Sequence, residues 1–212
     1  MPFASSRADL NFHFVLQTKL GRTMRLCFTS SMSRTPEGLC FAPGTTFADL
    51  DAAHDYRYPD LFRRRIAGYY LNPAKRLAAK YDAFAAGVLV VCAIDALALM
   101  MTSSTSVSGR ITAFCRNIPC LSDGDNAEVF CKSFRHGLVH GARIKDDNEF
   151  SYEISKIAVR SHGHLAVHPG LLADEVSRIL DLFVADLSRD PTEVKAFASK
   201  IRRKFHYELS HG

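Results

Sequence analysis

Phe134-Arg135-His136-Gly137-Leu138-Val139-His140-Gly141 is the stretch on which the reading of this chain turns. It sets an arginine, a second polar residue and, five places after the arginine, a histidine on one short helical segment. Arginine is a permanent planar cation suited to phosphate oxygens, and imidazole exchanges a proton near neutral pH. Together they are a minimal kit for cutting a phosphodiester without a metal. Arg-x4-His is short enough to arise by chance, so its surroundings decide its weight.

At about 100° per residue, Phe130, Phe134 and Leu138 fall in one stripe, the expected core face. Glu128, Lys132, His136 and His140 are spaced four apart and share a polar face. Arg135 lies off that stripe, with reach toward His140. Gly137 inside a helix costs about 1 kcal/mol against alanine, which predicts a backbone or ligand close to that turn. The helix is expected over about 126–140. It follows the loop Ser122-Asp123-Gly124-Asp125, has Asp125 and Glu128 at capping-box spacing, and has Gly141 placed to end it.

Working outward, Ala83 to Met101 carries only Asp95 as a charge over a length that can span a bilayer. A carboxylate well inside the run argues against lipid, so a buried helix at the centre of a bundle is the expectation. Asn72-Pro73 has the form of a helix start and predicts one rod from there to Met101. Before it, Thr46 can cap a segment through Ala53, and Pro59 to Leu71 reads as a second helix. The basic run Arg63 to Arg65 there reads as a solvated face. A helix over about 107–118, stopped by Pro119, precedes the motif.

After the motif the period changes. Ala142 to Ile144 with Phe150 to Ile154, and Ile157 to Val159 with His164 to Val167, predict two hairpins. Pro169 then opens a helix to about Leu187, and Asp190-Pro191 starts the last one, which ends in the basic stretch Lys200 to Lys204. Residues 1 to 44, rich in Ser, Thr and Arg and interrupted by Pro2, Pro36, Pro43 and Gly44, read as a loosely ordered arm without the apolar core of a signal peptide. Phe12 to Leu16 and Met24 to Phe28 are its candidate strands. The domain is therefore expected over 45–212.

The composition, 47% hydrophobic and 23% charged, is that of a globular protein rather than a disordered one. Its 27 basic against 22 acidic residues give +5, which permits a nucleic-acid partner without demanding one. None of the six cysteines form a Cys-x2-Cys pair. Reduced thiols in a cytoplasmic protein are the expectation. A zinc site from Cys115, Cys120, Cys131, His136 and His140 matches no usual finger or ribbon spacing, so no metal or cofactor is expected.

In RNA the 2′-hydroxyl can attack the adjacent phosphorus, given a base for its proton and an acid for the 5′-oxygen. His140 is the candidate base or acid, Arg135 the stabiliser of transition-state charge, and His136 an orienting or second proton-transfer group. Lys132 and Arg143 are candidate RNA contacts. One copy is short of groups, and a two-fold dimer facing two such helices would complete the site. A structural account stands beside this one: Arg135 pairs with Asp95 or Glu128, and His140 serves the helix dipole. Asp95 is expected to face Arg135, His136 or His140.

Arg135, the polar residue His136 and His140 together resemble the Arg-polar-x3-His signature of the HEPN superfamily of helical RNA- and nucleotide-binding domains. The order of elements is similar too: a long apolar helix ending in Ala93-Ile94-Asp95-Ala96-Leu97-Ala98, a following helix, then Phe130 to His140. The likeness covers about residues 60 to 210. It implies a mainly α, HEPN-like helical bundle, dimeric, with the small hairpin region after the motif helix as a departure. It also implies a metal-independent endoribonuclease, of a kind that includes toxins and defence effectors with antitoxin or nucleotidyltransferase partners. Other relatives are non-catalytic modules that bind RNA, a nucleotide or a protein.

Overall fold

The computed structural model describes residues 38–211, together with the backbone of three short strands before them: β1 (Val15–Gln17), β2 (Thr23–Arg25) and β3 (Arg34–Thr35). The chain is mainly helical with small sheets, the class expected. β1 and β2 pair antiparallel, close to the two candidate strands of the arm. The rest of residues 1 to 37 lies outside the described residues.

The end of the expected arm is core instead. β4 (Gly38–Ala42) lies between β3 and β5 (Thr45–Thr46), and Cys40, Phe41 and Ala42 are buried. Phe41 packs edge-on against Phe47 and Phe205, so this strand joins the two ends of the described chain. Arg65 lies over the Phe41 and Phe205 rings and donates to the Phe41 carbonyl. Arg64 donates to the Pro43 carbonyl and Arg63 pairs with Asp60. The run Arg63 to Arg65 is thus more than a solvated face: cation–π stacking makes Arg65 part of the packing.

Thr46 caps α1 (Phe47–Asp51) in a reciprocal box with Asp49, as its sequence demands. A short 3₁₀ turn (Asp55–Arg57) leads into α2 (Tyr58–Ile66), a π-helical turn (Ala67–Leu71) and α3 (Asn72–Ala78). Asn72-Pro73 therefore does not start a helix. It lies inside one, because the wider turn before it accommodates a residue without an N–H. The break in the expected rod comes at Tyr81, whose φ is +60°, and Asp82, whose carboxylate accepts from the Ala85 N–H to cap α4 (Ala83–Met101).

α4 is the central helix. It packs against α3, α5 (Val107–Cys115) and α8 (Pro169–Leu187), burying Val90, Val91, Ala93, Ile94, Leu97 and Ala98. Among the described residues it alone is long and apolar enough to cross a membrane. Half of that stretch is buried within the fold, which is the behaviour of a core helix. α9 (Pro191–Lys204) is capped by Asp190 and followed by α10 (His206–His211). Its basic end is used structurally: Lys200 Nζ donates to the Met100 carbonyl at the end of α4 (3.0 Å), and Arg202 pairs with Asp55 (2.8 Å).

The region after the motif holds one of the two expected hairpins. β7 (Ala158–Ser161) and β8 (His164–Val167) pair antiparallel. Ala142 to Ile144 is not a strand, and β6 (Glu149–Phe150) pairs parallel with β8 instead. A buried asparagine directs the chain there. Asn148 Nδ2 donates to the Lys145 and Asp146 carbonyls, and its Oδ1 accepts from the Leu165 N–H at 2.7 Å.

Candidate functional site

The motif helix is not one regular helix. α6 (Gly124–Val129) is capped by Asp123, two residues before the position expected, with its carboxylate accepting from the Asp125 N–H. A π-helical turn (Phe130–Arg135) follows, then α7 (His136–Gly141). The chain leaves α7 through Ala142, which takes the left-handed conformation (φ +49°) expected of Gly141.

A returning segment accounts for the wider turn. The Lys145 N–H donates to the Ser133 carbonyl (3.2 Å), and the Arg143 N–H to the Gly137 carbonyl (3.3 Å). Ser133, nearly inaccessible, adds a bond from Oγ to Asp146 Oδ2 (3.2 Å). The Arg143 carbonyl oxygen comes so close to Gly137 that a Cβ there would collide with it, the backbone approach that the glycine implied.

The π turn also shifts the polar stripe. Five residues per step put His136 over Cys131 rather than Lys132, with Nε2 3.9 Å from Sγ. The His136 and His140 rings lie 6.0 Å apart and tilted, and His140 is exposed to solvent. Arg135 Nη2 reaches Asp95 Oδ2 at 3.0 Å across the helix interface, so Asp95 orients the arginine, as expected. The Arg135 side chain is only 13% exposed and that of Asp95 34%. One of five guanidinium N–H groups is thereby placed, and Nε is buried with no acceptor among the described residues.

Burial pushes the His136 imidazole below its ordinary value of 6.5. Arg135, His140 and Lys145 push it further the same way, with Asp95 opposing. The surroundings of His136 therefore favour the neutral imidazole over the charged one. Burial raises the Cys131 thiol, and Cys115 is pushed up to about 12, so both stay protonated. Neither is poised as a nucleophile or metal ligand. Among the described residues no cluster of three or more His, Cys, Asp or Glu side chains is arranged to hold a metal ion.

The structure thus brings together Arg135, His136 and His140, with Asp95 behind them. It does not gather Lys132 and Arg143 into that group. Lys132 is exposed and faces α5, 3.4 Å from Glu128, while Arg143 is exposed on the other side, beside Phe84 at the start of α4. Ser133, Lys145 and Asn148 were not singled out by the sequence, and their roles depend on a fold-back across a turn. The one available signal was the Lys145-Asp146-Asp147-Asn148 run, whose Asp146 and Asp147 adopt positive φ. Comparison with protein-family models, curated proteins and solved structures finds no match to this chain.

Proposed function

We propose that this chain is a metal-independent endoribonuclease of HEPN type, a HEPN-like bundle that cuts RNA with Arg135, His136 and His140 at a homodimer cleft in the cytoplasm. A toxin or defence role, with an antitoxin or nucleotidyltransferase as cognate partner, belongs to the same reading. The observation that carries it is a part-buried imidazole beside a second, solvent-open imidazole and an arginine oriented from behind by a carboxylate.

In this mechanism His136 takes the proton of the 2′-hydroxyl as its oxygen attacks phosphorus. His140, as imidazolium, gives a proton to the departing 5′-oxygen. Arg135 N–H groups not used by Asp95 stabilise the charge gathering on the phosphoryl oxygens. A 2′,3′-cyclic phosphate and a 5′-hydroxyl result. A second copy supplies the groups that one motif lacks, and Phe84 and Val139, each about half exposed beside the motif, suit a face closed by that copy.

The low exposure of Arg135 favours a second reading, a non-catalytic module that binds RNA, a nucleotide or a protein through the same surface. Cleavage of RNA in the presence of a chelator separates the two. His140→Ala is expected to cut at least about 100-fold more slowly than the wild type. Undiminished cutting by that variant removes the catalytic assignment, and binding without cutting by the folded wild type favours the module.

A further inference from the structure

Along α5, Ser108, Thr112 and Arg116 face the motif helix across a cavity of about 290 Å³, whose opposite wall is Glu128, Cys131 and Lys132. That is close to the lower end of small-ligand pockets, about 300 Å³, enough for part of one nucleotide. The walls bring two cations from separate helices to one opening. Arg116 is exposed, and its guanidinium makes no hydrogen bond or ion pair with any described residue. Lys132 has only Glu128, at 3.4 Å and with both side chains well exposed, a contact that contributes little in water.

The cavity also leads to the proton-transfer groups. Ser108 lines the cavity with Cys131, whose sulfur lies 3.9 Å from His136 Nε2, and His136 adjoins His140. A strand of RNA whose scissile phosphate sits at Arg135 would have a neighbouring phosphate within reach of this opening. The two cations match that phosphate, and the serine and threonine hydroxyls match ribose or base edges.

We infer that the groove between α5 and the motif helix is a second phosphate subsite for single-stranded RNA, with Arg116 and Lys132 as its binding residues. This rests on the motif being an RNA site, and it deepens that reading by giving the strand a direction across the surface. Catalysis itself is not required for the subsite to fill.

The test uses the full chain and a labelled RNA oligonucleotide with every 2′-hydroxyl methylated, so that binding is read without cleavage. Fluorescence anisotropy across a salt series compares the wild type with Arg116→Gln, Lys132→Gln and the double variant. Arg189→Gln, in the turn after α8 and not among the residues lining the groove, is the control. Each groove substitution is expected to lower the slope of log Kd against log salt by about 0.7, the value for one single-strand phosphate contact. The double variant should bind at least about 10-fold more weakly at moderate salt, with the control unchanged. On cleavable RNA it should raise KM and leave kcat nearly as it was.

Unchanged slope and affinity in both single variants, or no binding of the methylated RNA by the wild type, overturns the subsite. So does displacement of the RNA by adenosine monophosphate at equal concentration, which would assign the groove to a free nucleotide. Arg116-dependent binding with no cleavage of ordinary RNA leaves the subsite standing and removes the nuclease. Cleavage with an unaltered salt slope does the reverse.

Discussion

The two π-helical turns among the described residues have different origins. The first, Ala67–Leu71, precedes Asn72-Pro73, and its i→i+5 bond runs from the Asn72 N–H to the Ala67 carbonyl. Pro73 has no N–H for the carbonyl four residues back and its ring crowds that oxygen, so the cause is covalent and local. The second, Phe130–Arg135, has no proline near it. There the His136 N–H bonds the Cys131 carbonyl while the Lys145 amide, arriving from outside, takes the Ser133 carbonyl. One irregularity relieves strain written into its own residues. The other is imposed by tertiary structure and lies in the segment that carries Arg135 and leads into His136.

That contrast is most directly broken at Gly137. Gly137→Ala puts a methyl group into the Arg143 carbonyl and should destabilise the fold by about 2–3 kcal/mol, despite about 1 kcal/mol of better helix propensity. Urea unfolding reads the loss, and an unchanged midpoint would mean that the returning segment yields freely. Ser133→Ala removes the part-buried bond to Asp146 and should cost about 1 kcal/mol. It should also reduce any RNA cleavage, because the returning segment is held less firmly against the turn that precedes His136; equal activity would separate the turn from the site.

Pro73→Ala sharpens the comparison from the other side. With the covalent cause gone and the turn free to rewind, stability should change by less than about 1 kcal/mol. Hydrogen exchange should alter at 67–71 and not at 130–135. The subtlest effect is in pH. His136 has its folded pKa below 6.5, so the stability linked to its neutral form is complete above pH 6.5 and is lost as pH falls through the folded value. His136→Asn should flatten that part of the acid limb, and an NMR titration midpoint at or above 6.5 in the wild type would contradict the environment described.

Signals that act within a few residues were legible in the sequence. The Thr46 cap, the Pro169 and Asp190-Pro191 helix starts and the β7–β8 hairpin all depend on neighbours in the chain. That Asp95 would face Arg135, His136 or His140 was also legible, because an isolated carboxylate in an apolar helix needs a partner, and Arg135 is the one it meets. Asn72-Pro73 misled because the same dipeptide that opens helices is tolerated within one when a π turn precedes it. Phe41 lies in a short apolar run, Leu39 to Ala42, placed in the Ser- and Arg-rich arm because its burial depends on Phe205 at the other end of the chain. The polar stripe of the motif was drawn on a regular helix. No local residue announces the turn that rotates it, since the deciding donor is the backbone of Lys145.

The composition of α4 has a consequence for biosynthesis. Its cover is unevenly timed: α3 is already made when Met101 is translated, whereas α8 begins only at Pro169. Until that later helix leaves the ribosome, the nascent chain displays a stretch with the length and greasiness of an anchor (mean hydropathy 2.4), open to insertion machinery and chaperones alike. Synthesis rate between those two points therefore bears on whether the polypeptide matures or is diverted.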